Sequence, residues 1–246
     1  MAAVLASIAL VPGLALGSFL NVVVARVPER RSLLRPPSSC GSCGTEILWR
    51  DNVPVLSYAL LRGHCRHCDA RISPTYPLVE AITALLIVTC VAVYGLTAEA
   101  ALAAAFCCVL VVLSVIDANY RIVPNRIVLP AAAIALVAHT AIDPTLAWLV
   151  WALIASGALF LIVLAYPKGL GMGDVKLAAF MGAWLGRDVA VALFAGSLLG
   201  MVPALVALVR RGGQGRKETL PYGPFLAAGG IVGLFFGEAL LDAWLG

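Results

Sequence analysis

The stretch Tyr166-Pro167-Lys168-Gly169-Leu170-Gly171-Met172-Gly173-Asp174-Val175-Lys176-Leu177 joins two long apolar segments. Three glycines in five residues break the chain there and deliver Asp174 to the mouth of the next helix. A charged side chain near a bilayer centre costs about 3 kcal/mol or more, so a carboxylate held there marks a functional site. Asp is also a good ordinary helix cap, because it accepts from the free N–H groups of a first turn. Both readings stand on the stretch alone.

The composition excludes the soluble classes. Of the 246 residues, 62% are hydrophobic and 12% charged, whereas soluble domains carry about 25% charged residues. Roughly 20 apolar residues cross a bilayer as a helix. On that rule the chain is an all-α polytopic membrane protein with about eight transmembrane helices. They fall near 2–25, 76–95, 99–117, 127–142, 146–166, 174–186, 188–209 and 223–245. The chain accordingly divides into a first helix at 1–25, a cysteine loop at 26–75 and a membrane body at 76–246. No Lys or Arg precedes the first apolar run, which favours a membrane helix over a cleaved secretory signal. The sixth span, of 13 residues, rises only about 20 Å. A short helix behind a glycine-rich break suggests a start inside a water-accessible cavity, where irregular backbone is tolerated.

Charge sets the orientation. Sixteen of the 17 Lys and Arg residues fall on one side of this topology: the arginines of the first loop, Arg121 and Arg126, Lys168 and Lys176, and the group from Arg210 to Lys217. Only Arg187 lies opposite. Positive residues stay in the cytoplasm, so the N-terminus is outside and the loop 26–75 inside. Asp117, Asp174 and Glu80 then share one depth near the cytoplasmic face, and Glu238 lies toward the outer end of the last span. The net charge of +4 is spread over loops, which reads as a topology signal and contact with anionic lipid, with no nucleic-acid partner. Gly182 and Gly186, Gly196 and Gly200, and Gly229, Gly233 and Gly237 recur at four-residue spacing, the small-residue rows by which membrane helices approach closely.

Cys40-Gly41-Ser42-Cys43 and Cys65-Arg66-His67-Cys68 are separated by 21 residues. Two such knuckles bring four thiolates into the closed tetrahedron of structural zinc. The competing reading is a pair of redox dithiols or disulfides, which the cytoplasm disfavours. Without a staple of some kind, a loop of this length and low aliphatic content has little to fold around. His64 and His67 flank the second pair and could replace one cysteine. Cys90, Cys107 and Cys108 lie in apolar segments and behave as small hydrophobes. Trp49 to Pro54 reads as a turn, followed by a short packed segment at Ser57 and Tyr58.

Asp117 closes the third span and Asp174 opens the sixth, on the same side of the membrane. Two carboxylates meeting in a low-dielectric site hold one proton between them, the state in which one activates water and the other donates to a peptide carbonyl. The helix dipole at the start of the sixth span favours Asp174 as the ionised partner. Gly171 and Gly173, lacking Cβ atoms, let a substrate backbone approach.

Gly171-Met172-Gly173-Asp174, with an Asp at the end of an earlier span, resembles the GxGD intramembrane aspartyl peptidases. Further stretches narrow the resemblance to the bacterial type IV prepilin peptidases: Gly17-Ser18-Phe19-Leu20-Asn21 with Arg26, the two cysteine knuckles, and Asp51-Asn52-Val53-Pro54 through Ser57-Tyr58. Leu61-Arg62-Gly63, Tyr76-Pro77-Leu78-Val79-Glu80, Asp117 with Val123-Pro124-Asn125, and Pro221-Tyr222-Gly223-Pro224-Phe225 continue it in order. The resemblance implies a peptidase of the bacterial inner membrane that cleaves the basic leader of prepilins or pseudopilins after a Gly, at the cytoplasmic face. It implies Asp117 and Asp174 as the catalytic pair, with Gly171, Gly173, Lys176 and Glu80 in supporting motifs. Cys40, Cys43, Cys65 and Cys68 are the implied zinc ligands. It further implies methylation of the new N-terminus with S-adenosylmethionine, an activity associated with the cysteine loop. The first knuckle lacks the proline often found after its first cysteine. Two other classes fit less of the chain: a membrane methyltransferase with structural aspartates, and a non-enzymatic transporter or scaffold, whose carboxylates would lie deeper in the spans.

Overall fold

The structure is a computed structural model and describes residues 2–166, 170–211 and 221–245. Lys168, Arg216 and Lys217, three of the cations that set the topology, lie outside the described residues, as do Met1, Pro167 and Gly169. The described chain is helical: α1 (Ala2–Arg26), a short α2 (Leu56–Leu60), α3 (Thr75–Tyr94), α4 (Ala98–Tyr120), α5 (Asn125–Ile142), α6 (Ala147–Ala165), α7 (Met172–Leu185), α8 (Val189–Arg211) and α9 (Gly223–Leu245). Every expected span is present within a few residues of its expected ends. The chain forms two compact units, Met1–Val112 and Leu113–Gly246, with the boundary inside α4.

In the first unit α1 packs along α3. A Cβ at Gly13 would lie 2.8 Å from the Ala84 Cα, and one at Gly17 only 2.6 Å from the Glu80 Cα. This is another four-residue glycine row, and it brings the two backbones into contact. Asn21 is buried at the seam and donates from Nδ2 to the Tyr76 carbonyl at 3.0 Å. Cys90 of α3 and Cys107 of α4 are also buried, as small apolar residues.

The second unit is organised around α7. Ten of its 14 residues are buried, so it is apolar on all sides, as a helix at the centre of a bundle must be. Phe180 and Trp184 pack against each other on it at a tilt of 58°, with ring centroids 5.4 Å apart. Seven helical segments are long and apolar enough to cross a membrane, one of them the 35-residue run Met172–Val206. That run is two helices folded back on each other at a single 3-10 turn, Gly186–Asp188. Gly186 has φ +57°, a conformation that suits a residue without Cβ. The direction of α9 proves the reversal. It starts with Gly223 against Asp117 and ends with Gly237 against Asp188, while Gly196 and Gly200 of α8 meet Leu226 and Tyr222 in the opposite sense. Thus α7 and α9 run one way and α8 the other, which makes eight long helices. Arg187 sits at the far end from Asp117, with Asp242 at 3.3 Å and Glu238 at 3.9 Å; these pairs are exposed and add little stability.

The α8–α9 seam generates a prediction. A Cβ at Gly229 would collide with the backbone of Ala192 and Gly196, and overpacking of this kind costs about 1–3 kcal/mol. Gly229→Ala lowers the midpoint of thermal unfolding in detergent, whereas Gly157→Ala, at a glycine with open space around it, leaves the midpoint unchanged.

Candidate functional site

Asp117 and Asp174 come together in the second unit, near enough for their charges to interact, and each is only 8% exposed. Asp117 lies one turn inside α4, which runs on to Tyr120 and does not stop at Asp117 as the sequence reading has it. The helix closes with the Arg121 N–H donating to the Asp117 carbonyl at 2.9 Å, Arg121 taking the left-handed conformation at φ 55° common after a helix end. Asp174 is the third residue of α7. Its Oδ2 accepts from the Gly171 N–H at 3.0 Å, and its own N–H donates to the Gly171 carbonyl at 3.1 Å. The capping reading and the site reading therefore both describe Asp174: one oxygen caps the helix, and the buried carboxylate feels the charge of Asp117.

Asp117 is held in the same way by a different helix. Its Oδ2 accepts from the Gly223 N–H, the first residue of α9, at 2.9 Å. A Cβ at Gly223 would lie 2.6 Å from that oxygen and 2.9 Å from the Asp117 Cβ, so only glycine admits the contact. Each carboxylate thus has a helix N-terminus at one oxygen, and the dipole does not by itself single out Asp174 as the ionised member. Gly173 makes room for Val123, whose Cγ2 would be 2.9 Å from an added Cβ, whereas Gly171 has ordinary space. Lys176 donates from Nζ to Asn125 Oδ1 at 2.9 Å, tying α7 to the first residue of α5. The expected supporting residues Gly173 and Lys176 therefore act by fixing the Val123-Pro124-Asn125 corner against α7.

Glu80 belongs to the first unit. Its Oε2 accepts from the Val55 N–H at 2.7 Å. Val55 has φ 59°, a conformation rare for a β-branched residue, and Glu80 holds the turn there. Ser57, buried, accepts from the Val53 N–H at 2.9 Å and donates to the Arg50 carbonyl at 3.0 Å. Buried Arg26 donates to the Ser32 and Pro36 carbonyls at 2.9 and 2.7 Å. These contacts give physical roles to stretches whose chemistry was unreadable from one sequence.

The four loop cysteines converge as well. Their sulfurs lie within 4.8 Å of one another, with Cys40 Sγ and Cys68 Sγ 3.8 Å apart. Sulfurs bound tetrahedrally at about 2.3 Å stand about 3.8 Å apart, so the residues fit a metal ion. The two knuckles repeat one design. Cys40 and Cys65 donate from their N–H groups to the carbonyls of Thr45 and Ala70, and Gly44 and Asp69 donate back to Cys40 and Cys65. Ser39 pairs with Glu46 as His64 pairs with Arg71. The N–H groups of Cys43 and Ser42 hold the Cys40 thiol below the usual cysteine range, and those of His67 and Cys68 do the same for Cys65. Cys68 differs: against the Ala70 N–H, desolvation and the three neighbouring thiols push its thiol up to about 12. A bidentate pair ties the loop across its length: Arg66 donates to Asp51 from Nε at 3.0 Å and from Nη2 at 2.6 Å, and the guanidinium holds the Asp51 carboxyl below the usual carboxylate range.

Comparison with known proteins identifies the family. Residues 11–94 match the bacterial peptidase A24 N-terminal domain, and residues 104–205 match the type IV leader peptidase family. A prepilin leader peptidase/N-methyltransferase of Burkholderia pseudomallei strain 1026b is 37% identical, covering 93% of this chain and 84% of the relative. The chain belongs to the type IV leader peptidase family. Proteins of the same name from Bacillus subtilis strain 168 and Pseudomonas aeruginosa are 33% and 32% identical. The first covers 97% of both chains, and the second 95% of this chain and 91% of the relative. No solved structure matches the chain.

In this leader peptidase family member the residues with the closest hold on the carboxylates were the least visible. Gly223 sits in Pro221-Tyr222-Gly223-Pro224-Phe225, a stretch readable only as part of the resemblance. A glycine at a helix start between two prolines was the one local signal.

The cysteine cluster carries the prediction here. Native mass spectrometry of the full chain shows one metal ion per chain, and Cys40→Ser or Cys65→Ser lowers that occupancy at least tenfold. Full occupancy in either variant would mean that the four sulfurs do not form the site.

Proposed function

We propose that the chain is a membrane aspartyl endopeptidase that removes the basic leader of type IV prepilins or pseudopilins, and N-methylates the new N-terminus using S-adenosylmethionine. The observation that carries the proteolytic half is the buried pair Asp117 and Asp174, each with one oxygen engaged by a helix-N-terminal N–H and near enough for their charges to interact. Like charges at such a distance in a low dielectric do not both ionise, so the pair holds one proton. The ionised member takes a proton from a water, whose oxygen attacks the scissile carbonyl carbon, while the protonated member donates to the carbonyl oxygen. Collapse of the tetrahedral adduct returns a proton to the departing amide nitrogen and breaks the C–N bond. The methylating half rests on the names of relatives that span nearly the whole chain.

The proposed setting is the bacterial inner membrane, with the N-terminus outside and the carboxylates opening to the cytoplasm, since 16 of the 17 Lys and Arg residues fall in the loops and helix ends of that side. At 14 residues, α7 rises about 21 Å, less than the roughly 30 Å of hydrocarbon, so its first turn lies in a recess open to water. Functionally the chain has three parts: the first helix at 1–25, the cysteine domain at 26–75 and the peptidase body at 76–246. Zinc is the metal that four thiolates in two C-x2-C knuckles suit best, held by Cys40, Cys43, Cys65 and Cys68 as a structural staple. The arginines of the cytoplasmic loops meet anionic lipid headgroups.

Asp117→Asn and Asp174→Asn each reduce leader removal by at least about 10²-fold, the usual contribution of a general acid or base, while the protein still inserts in membranes. The mass of a candidate pilin, recovered from membranes holding each variant, checks this and reports methylation in the same spectrum. Full cleavage by either variant would sink the reading. Gly223→Ala, which displaces the Asp117 carboxylate without altering its chemistry, costs on the order of 10²-fold in cleavage rate with helix content by circular dichroism unchanged.

A further inference from the structure

We propose that a cavity in the first unit is the binding site for S-adenosylmethionine, with the Glu80 carboxylate facing the positive charge of the sulfonium. The inference deepens the methylating half of the proposed function and rests on it. The cavity, open on one side, has a volume of about 530 Å³ between α1, α3 and the cysteine loop, within the range of about 300–1,000 Å³ typical of small-ligand sites. Four of the five buried polar or charged side chains of this unit line it: Asn21, Arg26, Ser57 and Glu80. Asn21, Arg26 and Ser57 spend hydrogen bonds on backbone groups. Glu80 is different. Its Oε2 accepts from Val55, and Oε1 has no hydrogen-bond partner among the described residues. Glu80 is only 8% exposed and lines the cavity, so a cationic ligand there would find a carboxylate oxygen with no competing partner.

The remaining lining narrows the ligand. Arg71 borders the cavity and forms no ion pair among the described residues. Tyr58 and Tyr76 present aromatic rings. Of the three carboxylates on the lining, Asp51 is paired with Arg66 and Glu46 is exposed, which leaves Glu80 as the buried anion. That anion, with the unpaired Arg71 and two rings, suits a molecule that joins a sulfonium, a carboxylate and a purine. In the transfer, the lone pair of the pilin α-amine forms a bond to the methyl carbon. The carbon–sulfur bond breaks with its electrons going to sulfur, and the product amine releases a proton to solvent. The sulfonium becomes a neutral thioether, so Glu80 attracts the donor and loses its hold on the spent product.

The test uses the full metal-loaded chain in detergent, with equilibrium dialysis of labelled S-adenosylmethionine and competition by S-adenosylhomocysteine. Wild type binds the sulfonium more tightly than the thioether. Glu80→Gln keeps an acceptor for the Val55 N–H but removes the charge; it weakens S-adenosylmethionine at least tenfold and abolishes the preference. Val22→Trp, which fills the cavity from α1, weakens both ligands. A photoreactive S-adenosylmethionine analogue, applied to the wild-type chain and so independent of any folding defect, labels α1 or the Asp51–Tyr58 segment. Labelling confined to Leu113–Gly246, or wild-type affinity in both variants, overturns the site while methylation by the wild-type chain leaves the broader reading standing. A wild-type chain that neither binds the donor nor methylates a processed pilin overturns both.

Discussion

A carboxylate inside a membrane protein needs a partner for its oxygens, because no bulk water is there to supply one. In the second unit that need is met twice with backbone N–H groups at helix starts: Gly171 for Asp174 and Gly223 for Asp117. Backbone donors carry no counter-charge, so these two contacts hold each acid in place without neutralising it. Much of the surrounding architecture follows from bringing these three helix ends to one place: α4 must run past Asp117, α7 must begin beside it, and α9 must begin with a residue small enough to touch it.

Close backbone contact is the common means. Gly223 admits Asp117, Gly173 admits Val123, and the rows on α8 and α9 let those helices meet at their main chains. In lipid there is no hydrophobic gain from helix association, so packing of this kind and buried polar contacts carry it. The first unit follows the same rule at Gly13 and Gly17 against α3. There the buried polar groups act on the loop: Arg26 gathers two carbonyls, Ser57 closes a turn, and Glu80 restrains Val55.

Helix number and placement were legible in the sequence because apolar runs of bilayer length have few other meanings. The cysteine cluster was legible because its spacing is specific, and Asp174 because a carboxylate after a glycine-rich break is rare in such a chain. Less could be read where function depends on a backbone atom meeting a side chain far away in sequence. Nothing in Gly223 announces that its N–H meets Asp117, 106 residues earlier. Glu80 has the same character, since its partner is the main chain of a residue whose unusual conformation no propensity would suggest. The end of α4 was placed too early because a charged residue was taken as the limit of an apolar span, although a helix can carry a satisfied acid one turn further.

The repeated knuckle design has an evolutionary corollary. Both C-x2-C turns are complete in themselves, each with its own short antiparallel pairing, and the 21 residues between Cys43 and Cys65 form a loop pinned at its base by the four sulfurs. Closing a longer loop on the same base costs little, about 0.6 kcal/mol for each doubling of length. The exposed crest around Trp49, itself 85% exposed, is therefore a place where homologous chains can gain or lose residues, and where a tag could be grafted, without disturbing the fastening beneath.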